Sequence, residues 1–331
     1  MRFCTEESIW PIYLDCLTAG IGNYGDRLMG MTELTTKLLM EQSRLHDFGN
    51  CRLLTIGRQG ITFSVKDLSK WAKDFNFKLS ESNLQNALAQ NRRLTDTEYF
   101  LSLGFKSVES LDVSEYEEAS IICNLNQDLP LDLQGKFDVV YDGGSTEHMF
   151  NVPKAFENYN KLLKVGGLVM HALPSTGNLD HGFYMFSPTL FHDYYSQNKW
   201  SIKTNYMLQL PYDNMNSWNI YEYSAPGPFL EHIEFKGRWG MFFVAQKQSN
   251  STFDTNISQH YFKTLWQNTL KEKSGENGTA SSGKSKNVGA LKKLFRMLPE
   301  NVKAAIRLLI LALKRLPFLR PKIPFKKLEL R

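Results

Sequence analysis

Cysteines are few in this chain, and long apolar runs are missing. The sequence of 331 residues has four cysteines, Cys4, Cys16, Cys51 and Cys123, with no CxxC pair or other metal-type spacing. No stretch approaches the ~20 apolar residues that span a bilayer, and the N-terminus lacks the apolar segment of a signal peptide. We therefore expect a cytoplasmic protein with reduced thiols and no bound metal ion.

A complete glycine-rich phosphate-binding pattern is also missing. The segment Thr55-Ile-Gly-Arg-Gln-Gly60 follows a short apolar run, but Gln59 replaces a glycine of GxGxxG, and no Gly-Lys-Ser/Thr follows. Its glycines still permit positive φ and a close approach of the backbone to a ligand. An ordinary tight turn explains the pattern, and a ligand-contacting turn is the alternative.

Charge is distributed unevenly. The net charge is +5, yet residues 289–331 hold twelve basic residues against Glu300 and Glu329. This tail is therefore +10, and the remainder of the chain is −5. The body is mildly acidic, and the tail alone makes the chain basic.

Apolar runs that end in polar or glycine residues alternate with helix-like segments. This order is typical of an α/β fold with a mainly parallel, Rossmann-like sheet and helices on both faces. Strands are predicted at 51–57, 107–113, 119–125, 137–142, 167–173, 202–208 and 240–246, and helices at 31–45, 153–163 and 188–198.

The same patterns predict the domain layout. A helical N-terminal segment covers 1–48, and the main α/β domain covers 49–248 with a helical insertion at about 61–104. Composition rich in Gly, Ser, Lys and Asn predicts a linker within 249–288, followed by a basic tail at 289–331.

The pattern of the tail predicts a basic amphipathic helix. In Asn301–Leu316, Lys303, Arg307 and Lys314 share one side, and Leu and Ile cover the others. Such a helix suits peripheral attachment to an anionic membrane at its inner face, or docking on a protein partner; both remain open. Nucleic acid is not expected as a partner.

Two polar residues follow predicted strands. Asp112 is placed to accept hydrogen bonds from both hydroxyls of a ribose, or to cap the next helical turn. Asn124 is placed to meet an adenine edge, or to close a turn. The spacing leaves both pairs of alternatives open.

The segment Asp142-Gly-Gly-Ser-Thr-Glu-His148 follows a predicted buried strand and holds two acids, two glycines, two hydroxyl residues and a histidine. Loops at strand ends often carry function, and histidine suits proton transfer near neutral pH. A capped or solvated histidine is the alternative for His148. A second histidine, His181, opens the segment His-Gly-Phe-Tyr-Met-Phe-Ser187, whose aromatic residues either wall an acceptor pocket or staple the next helix.

In this order, TIGRQG, SLDVSEYEEASIICNLN, FDVVYDGGSTEHMFN and LLKVGGLVMHALPSTGNLDHGFYMFSP resemble class I S-adenosylmethionine (SAM)-dependent methyltransferases, especially bacterial members with DGGxxEH and HGFYxFSP segments. The likeness covers roughly 51–248 and implies a seven-stranded sheet whose last strand is antiparallel. It implies SAM as cofactor and a small-molecule or glycan hydroxyl as acceptor.

The resemblance also implies residue roles. Gly57, Arg58, Gln59 and Gly60 line the methionine part of SAM, Asp112 holds the ribose, Asn124 faces the adenine, and Asp142, Gly143 and Gly144 close the site near the sulfonium. Thr55, Gln59 and Asn124 depart from the family pattern. They favour the alternative of a non-catalytic SAM-fold binding or scaffold protein, while an NAD-dependent oxidoreductase fits the incomplete glycine pattern poorly.

For O-methylation, the chain must remove a proton from the acceptor hydroxyl. His148 is the first candidate for this base and His181 the second. Glu147 or Asp142 is expected to orient the imidazole or offset the sulfonium charge.

Overall fold

The computed structural model describes residues 31–210, 218–224, 237–274, 298–299, 302–303, 306 and 326–330. The chain divides into two compact units. The first comprises Met1–Tyr223, Lys236–Asn256 and Lys327–Arg331, and the second comprises Ser224–Phe235 and Ile257–Lys326.

A nine-stranded mixed sheet forms the centre of the fold, in the order β3-β2-β1-β4-β5-β8-β6-β7-β9. The strands are β1 (Arg52–Ile56), β2 (Ser107–Asp112), β3 (Ile121–Ile122), β4 (Phe137–Asp142), β5 (Leu163–Thr176), β6 (Ser201–Leu210), β7 (Asn219–Glu222), β8 (Arg238–Gln246) and β9 (Lys326–Leu328). Strands β3, β2, β1, β4 and β5 are parallel neighbours. β8 is antiparallel to both β5 and β6, and β7 is antiparallel to β6.

The α/β class and the antiparallel orientation of β8 were predicted correctly. The predicted number of seven strands was wrong, because the sheet has nine. β7 and β9 were missed because they are short, at four and three residues, and lie at one edge of the sheet. The third strand is also shorter than the predicted 119–125, since only Ile121–Ile122 pairs with β2.

Seven α-helices are described: α1 (Glu33–Leu45), α2 (Val65–Asp74), α3 (Gln85–Ala89), α4 (Asp96–Ser102), α5 (Val152–Leu162), α6 (Pro188–Gln197) and α7 (His260–Ser274). Capping boxes start α1, α2 and α4, at Thr32, Ser64 and Thr95. Helices α2, α3 and α4 lie in the long connection between β1 and β2, where sequence predicted a helical insertion.

The two faces of the sheet bury different side chains because neighbours along a strand point to opposite faces. Val139 and Tyr141 pack in a core that includes apolar residues of α1, α2 and α4. On the other face, His171 of β5 lies among aromatic rings of α5 and α6, with ring centroids 5.7 Å away at Phe156 and 5.0 Å away at Phe191. Helices therefore cover both faces, as predicted.

The C-terminal region differs from the predicted layout. Helix α7 lies inside 249–288, where we predicted a linker; aromatic and apolar residues recur there at helical spacing, at Tyr261, Leu265 and Trp266. The predicted helix Asn301–Leu316 lies outside the described residues except for Val302, Lys303 and Ile306, which are helical. Across the described part of the chain, no helix is both long and apolar enough to cross a membrane.

Candidate functional site

Strand register brings the ends of β1, β2 and β4 to one edge of the sheet. Ile56, the last residue of β1, is paired with Leu111 on one side and with Asp142 on the other. The residues that follow these strands therefore meet in one place, since parallel strands present their carboxyl ends at the same edge. Ligands of open α/β sheets bind outside this edge.

Gly57 forms the turn after β1 and lies at the centre of this edge. Its φ is +70°, a left-handed conformation that favours glycine, and its N–H donates to the Leu111 carbonyl at 2.8 Å. A Cβ at this position would stand 3.0 Å from Ser145 Oγ and 3.7 Å from Asp112 Oδ2. The absent side chain thus leaves a cradle between β2 and the loop after β4.

Asp112 divides its two carboxylate oxygens between structure and the cradle. Oδ1 accepts from the N–H of Val113 at 2.6 Å and of Ser114 at 3.2 Å, which is the capping role considered from sequence. No hydrogen bond from a described residue reaches Oδ2, which faces Gly57. Oδ2 is therefore available to accept from a ligand hydroxyl.

Asn124, like Asp112, uses one polar atom of its side chain within the fold and leaves the other without a hydrogen bond to the described residues. Its Oδ1 accepts from the backbone N–H and the side-chain amide of Asn126, each at 3.0 Å, which closes the predicted turn. Asn126 Oδ1 in turn accepts from the N–H of Asn151, the cap of α5, at 2.8 Å. The side-chain nitrogen of Asn124 makes no hydrogen bond to the described residues, and Asn124 lies in the pocket wall.

These groups line one pocket of about 270 Å³. Its walls comprise Ile56, Gly57, Leu111, Asp112, Val113, Cys123, Asn124, Leu125, Asn126, Gly144, Ser145, His148 and Met149. Five residues singled out from sequence meet here: Gly57, Asp112, Asn124, Gly144 and His148. They come from four separate segments of the chain.

The rest of the turn after β1 makes hydrogen bonds to other parts of the fold. Arg58 pairs with Asp96 of α4 through two hydrogen bonds of 2.9 and 2.7 Å, and Asp96 also accepts from the Gln59 N–H at 3.0 Å. Gln59 is buried, and Gly60 is exposed; its carbonyl accepts from Met31 N–H at 3.2 Å. These three residues lie outside the pocket wall and tie the turn to the insertion and to the start of α1.

Gly143 is needed for packing. A Cβ there would stand 2.4 Å from Gln59 Oε1 and 2.5 Å from a ring carbon of Tyr141. Both side chains are buried, and a Cβ at this position would force them to shift. The glycine lets the chain leave β4 over Gln59 and enter the loop that carries Ser145 and His148.

Asp142 lies beneath the pocket, fully buried. Its carboxylate accepts from the N–H groups of Ser145 and Thr146, at 3.1 and 3.3 Å, and from the Thr146 hydroxyl. Its Oδ2 also bonds Nδ1 of His171 at 2.9 Å, and Nε2 of His171 bonds the Tyr195 hydroxyl at 2.7 Å. Asp142 therefore holds the loop after β4 in place from below.

Glu147 is the opposite case: its carboxyl group is fully buried, and neither oxygen has a hydrogen-bond partner among the described residues. Burial, with a further contribution from the charge of Asp142, raises the pKa of Glu147 to about 8. An unpartnered buried carboxyl is costly, so it marks a candidate functional group.

Two histidines stand over Glu147. Its Oε1 is 3.9 Å from Nε2 of His148 and 3.7 Å from Nε2 of His181, and the two rings are 5.2 Å apart. Burial and the neighbouring His181 lower the pKa of His148, which keeps its imidazole neutral at pH 7. The structure thus brings together the three residues proposed from sequence as catalytic, and His148 links them to the pocket.

The backbone explains how His181 reaches this place. The carbonyl of Glu147 accepts from Phe183 N–H at 2.8 Å and Tyr184 N–H at 3.2 Å. A Cβ on Gly182 would stand 2.9 Å from that carbonyl oxygen, so the close approach requires glycine. The HGFY segment is therefore clamped onto the turn that carries Glu147.

Several functional groups were missed by sequence reasoning. Ser145 links β1 to the loop after β4, because its hydroxyl donates to the Ile56 carbonyl at 2.6 Å, and Asn126 and Met149 complete the pocket wall. The partnership of Asp142 with His171 was also missed. Alternation along β4 and β5 places both on one face, but their pairing depends on strand register.

No family model and no curated protein matches this chain. The solved structures that it resembles include SAM-dependent methyltransferases. One is the 1,6-didemethyltoxoflavin-N1-methyltransferase of Burkholderia thailandensis, solved with its substrate and S-adenosylhomocysteine: 11% identity, 72% of this chain, 87% of that chain and a TM-score of 0.35.

Two further structures have the same level of likeness. The CurJ carbon methyltransferase shows 11% identity over 66% of this chain and 54% of that chain, with a TM-score of 0.34. The branched-chain polyamine synthase of Thermus thermophilus shows 11% identity over 68% of this chain and 58% of that chain, with a TM-score of 0.34. These likenesses are too distant to assign an activity, which has to be argued from the side chains of the site.

Proposed function

We propose that this protein is a SAM-dependent methyltransferase that O-methylates a hydroxyl of a small molecule or glycan. The observation that carries the proposal is the cradle at Gly57. A turn with positive φ, whose missing side chain faces the free oxygen of Asp112, opens into a pocket outside the carboxyl edge of a parallel sheet.

The residues present suit an adenosyl ligand. Asp112 Oδ2 is available to accept from ribose hydroxyls, and the amide of Asn124 is available to donate to a ring nitrogen of adenine. Gly57 and Gly144 let the chain backbone approach the ligand. Among the described residues, no lysine or arginine lines the pocket, which suits a cationic sulfonium. When bound, SAM supplies a methyl group already activated for attack by an oxygen nucleophile.

The acceptor side of the site is marked by exposed aromatic residues next to the two histidines. Phe150 is 74% exposed and Phe183 is 68% exposed, and their rings meet edge to face with centroids 5.9 Å apart. Tyr184 fixes this arrangement by donating to the Phe150 carbonyl at 2.9 Å. Such a surface suits the apolar face of a sugar or another ring that presents a hydroxyl to His148.

His148 then supplies the general base. Its neutral imidazole accepts the hydroxyl proton at Nε2 while the acceptor oxygen forms its bond to the methyl carbon, and the sulfur retains the electron pair of the broken bond. Positioning of the acceptor provides most of the remaining rate increase.

Calorimetry with SAM and with NAD tests the cofactor. We expect SAM to bind the wild-type protein and Asp112→Ala to weaken binding at least about tenfold, with no binding of NAD. Binding of NAD but not SAM would indicate an oxidoreductase.

Mass spectrometry of cell extracts incubated with protein and SAM tests catalysis by searching for products heavier by one CH₂ group. His148→Ala should slow formation of such a product by about 100-fold or more while SAM affinity is retained. SAM binding without any methylated product would favour the non-catalytic binding protein.

A further inference from the structure

We infer that Glu147, His148 and His181 bind a divalent first-row transition metal ion, with one carboxylate and two imidazole nitrogens as ligands. Sequence predicted no metal site, because the cysteines lack suitable spacing. His148 and His181 lie 33 positions apart in the chain. Only the fold brings the three side chains together.

The geometry fits a metal ion more closely than it fits a hydrogen-bonded cluster. The ligand atoms all lie within 4.8 Å of one another, and Glu147 Oε1 is 3.9 and 3.7 Å from the two Nε2 atoms. These separations are too long for hydrogen bonds. Tetrahedral ligands at metal–ligand distances near 2.1 Å are separated by about 3.4 Å. The two carboxylate–imidazole distances must therefore shorten by about half an ångström or less, and the widest separation of ligand atoms by up to about 1.4 Å.

Unsatisfied polar atoms support the same assignment. Neither oxygen of Glu147 has a hydrogen-bond partner among the described residues, and the same holds for the buried Nε2 of His181. Buried polar groups rarely remain unpaired in folded proteins. A cation at the centre of the cluster satisfies the carboxylate and both imidazoles together.

The surrounding chain holds the cluster in place, as a metal site requires. Glu147 and His148 share one turn, anchored from below by Asp142. The loop of His181 is fixed by the hydrogen bonds from Phe183 and Tyr184 to the Glu147 carbonyl. Both histidines remain partly exposed, with side-chain exposures of 49% and 30%, so an ion has a route of entry and their rings have room to rotate.

Three protein ligands leave coordination positions open, as in catalytic rather than structural metal sites. His148 borders the pocket, so an oxygen of the acceptor is the natural occupant of an open position. A hydroxyl bound to the ion would have a lowered pKa and would release its proton to water, which replaces the imidazole of His148 as the base when the ion is present.

The test uses the 331-residue chain, stripped of metal by chelation, and measures binding of Zn²⁺ and Co²⁺ without SAM, so its result is independent of the proposed cofactor. We expect one Zn²⁺ per chain by calorimetry, and a visible absorption band for Co²⁺ bound through nitrogen ligands. Glu147→Ala and His181→Ala should each weaken Zn²⁺ binding by about 100-fold or more. His192→Gln, which removes a histidine outside the cluster, should leave it unchanged.

Absence of Zn²⁺ binding to the wild-type protein would overturn the inference. So would equal affinity in all four proteins. Circular dichroism of each variant separates loss of a ligand from loss of the fold, and the Co²⁺ spectrum of the wild-type protein reports the ligand type without any variant.

Discussion

Two buried acids five positions apart, Asp142 and Glu147, have opposite surroundings. Both are fully buried, and both lie close to histidine. The Asp142 carboxylate accepts hydrogen bonds from Ser145, Thr146 and His171, whereas the Glu147 carboxyl accepts none from the described residues.

The difference separates a structural acid from a candidate functional one. A fully partnered buried carboxylate stabilises the loop around it, while an unpartnered one destabilises the fold and is retained when it has another use. The satisfied acid also positions the unsatisfied one, since Asp142 binds the backbone of the turn that carries Glu147. Buried acid–histidine proximity alone would not have distinguished the two.

The largest effect is expected at Asp142. Asp142→Ala removes the buried acceptor of the Ser145 and Thr146 N–H groups and of Nδ1 of His171, and should lower the free energy of unfolding by about 3–5 kcal/mol. Urea denaturation measures this change. Asp128→Ala, which removes a largely exposed acid paired with Lys154, is the control and should leave stability close to that of the wild type. Similar losses of stability in both variants would contradict the structural role of Asp142.

The next effect is expected at Gly57, beside the same loop. Gly57→Ala puts a methyl group at positive φ and 3.0 Å from Ser145 Oγ, and should cost about 1–2 kcal/mol of stability and at least about tenfold in SAM affinity. Gly135→Ala is a matched control, because φ is +63° there but nothing lies within 4 Å of the added Cβ. It should lower stability while leaving SAM affinity intact. Weaker SAM binding in both variants would show that the cradle at Gly57 has no specific role in binding SAM.

A change of opposite sign is expected at Glu147. Glu147→Met replaces an unpartnered buried carboxyl with an apolar side chain of similar length, so stability of the metal-free protein should be equal or higher by about 1 kcal/mol. Methyl transfer should be lost at the same time. Denaturant unfolding and the product assay are compared on one preparation. Strong destabilisation would mean that Glu147, like Asp142, is a structural acid.

The smallest effect is expected at Glu98, an acid near the surface. It is a reference against which the stability effects at the buried acids Asp142 and Glu147 can be compared. Hydrogen bonds from Arg92, and then from Thr95, lower the pKa of Glu98 to about 2 despite the burial that opposes the shift. Because the folded pKa is below the unfolded one, the contribution is present above about pH 4.5 and is lost as pH falls towards 2. Glu98→Gln should therefore reduce stability by less than about 1 kcal/mol at pH 7, and the difference from wild type should shrink between pH 5 and pH 2. A difference that grows on acidification would contradict this account.

Much of the fold could be predicted because local patterns were strong. Ser187 followed by Pro188 predicted the start of α6, and the apolar run at Phe137 predicted β4. Strands β7 and β9 escaped prediction because strands of four and three residues have little apolar periodicity of their own, and depend on a neighbour for their hydrogen bonds. Helix α7 lies inside the region 249–288 that was assigned to a linker, because aromatic residues at helical spacing outweigh the polar composition there.

The sequence by itself determined which residue types end each strand: a glycine after β1, an acid at the end of β2, an amide after β3, and an acid with two glycines at the end of β4. It could also identify His148 and His181 as candidates for proton transfer. Only the tertiary structure decided that Gly57 faces Asp112, that Asp142 is satisfied from below, and that Glu147 lies unpartnered between two histidines. Those outcomes depend on strand register and on the clamp between Glu147 and the loop of His181, which are contacts between residues distant in the chain.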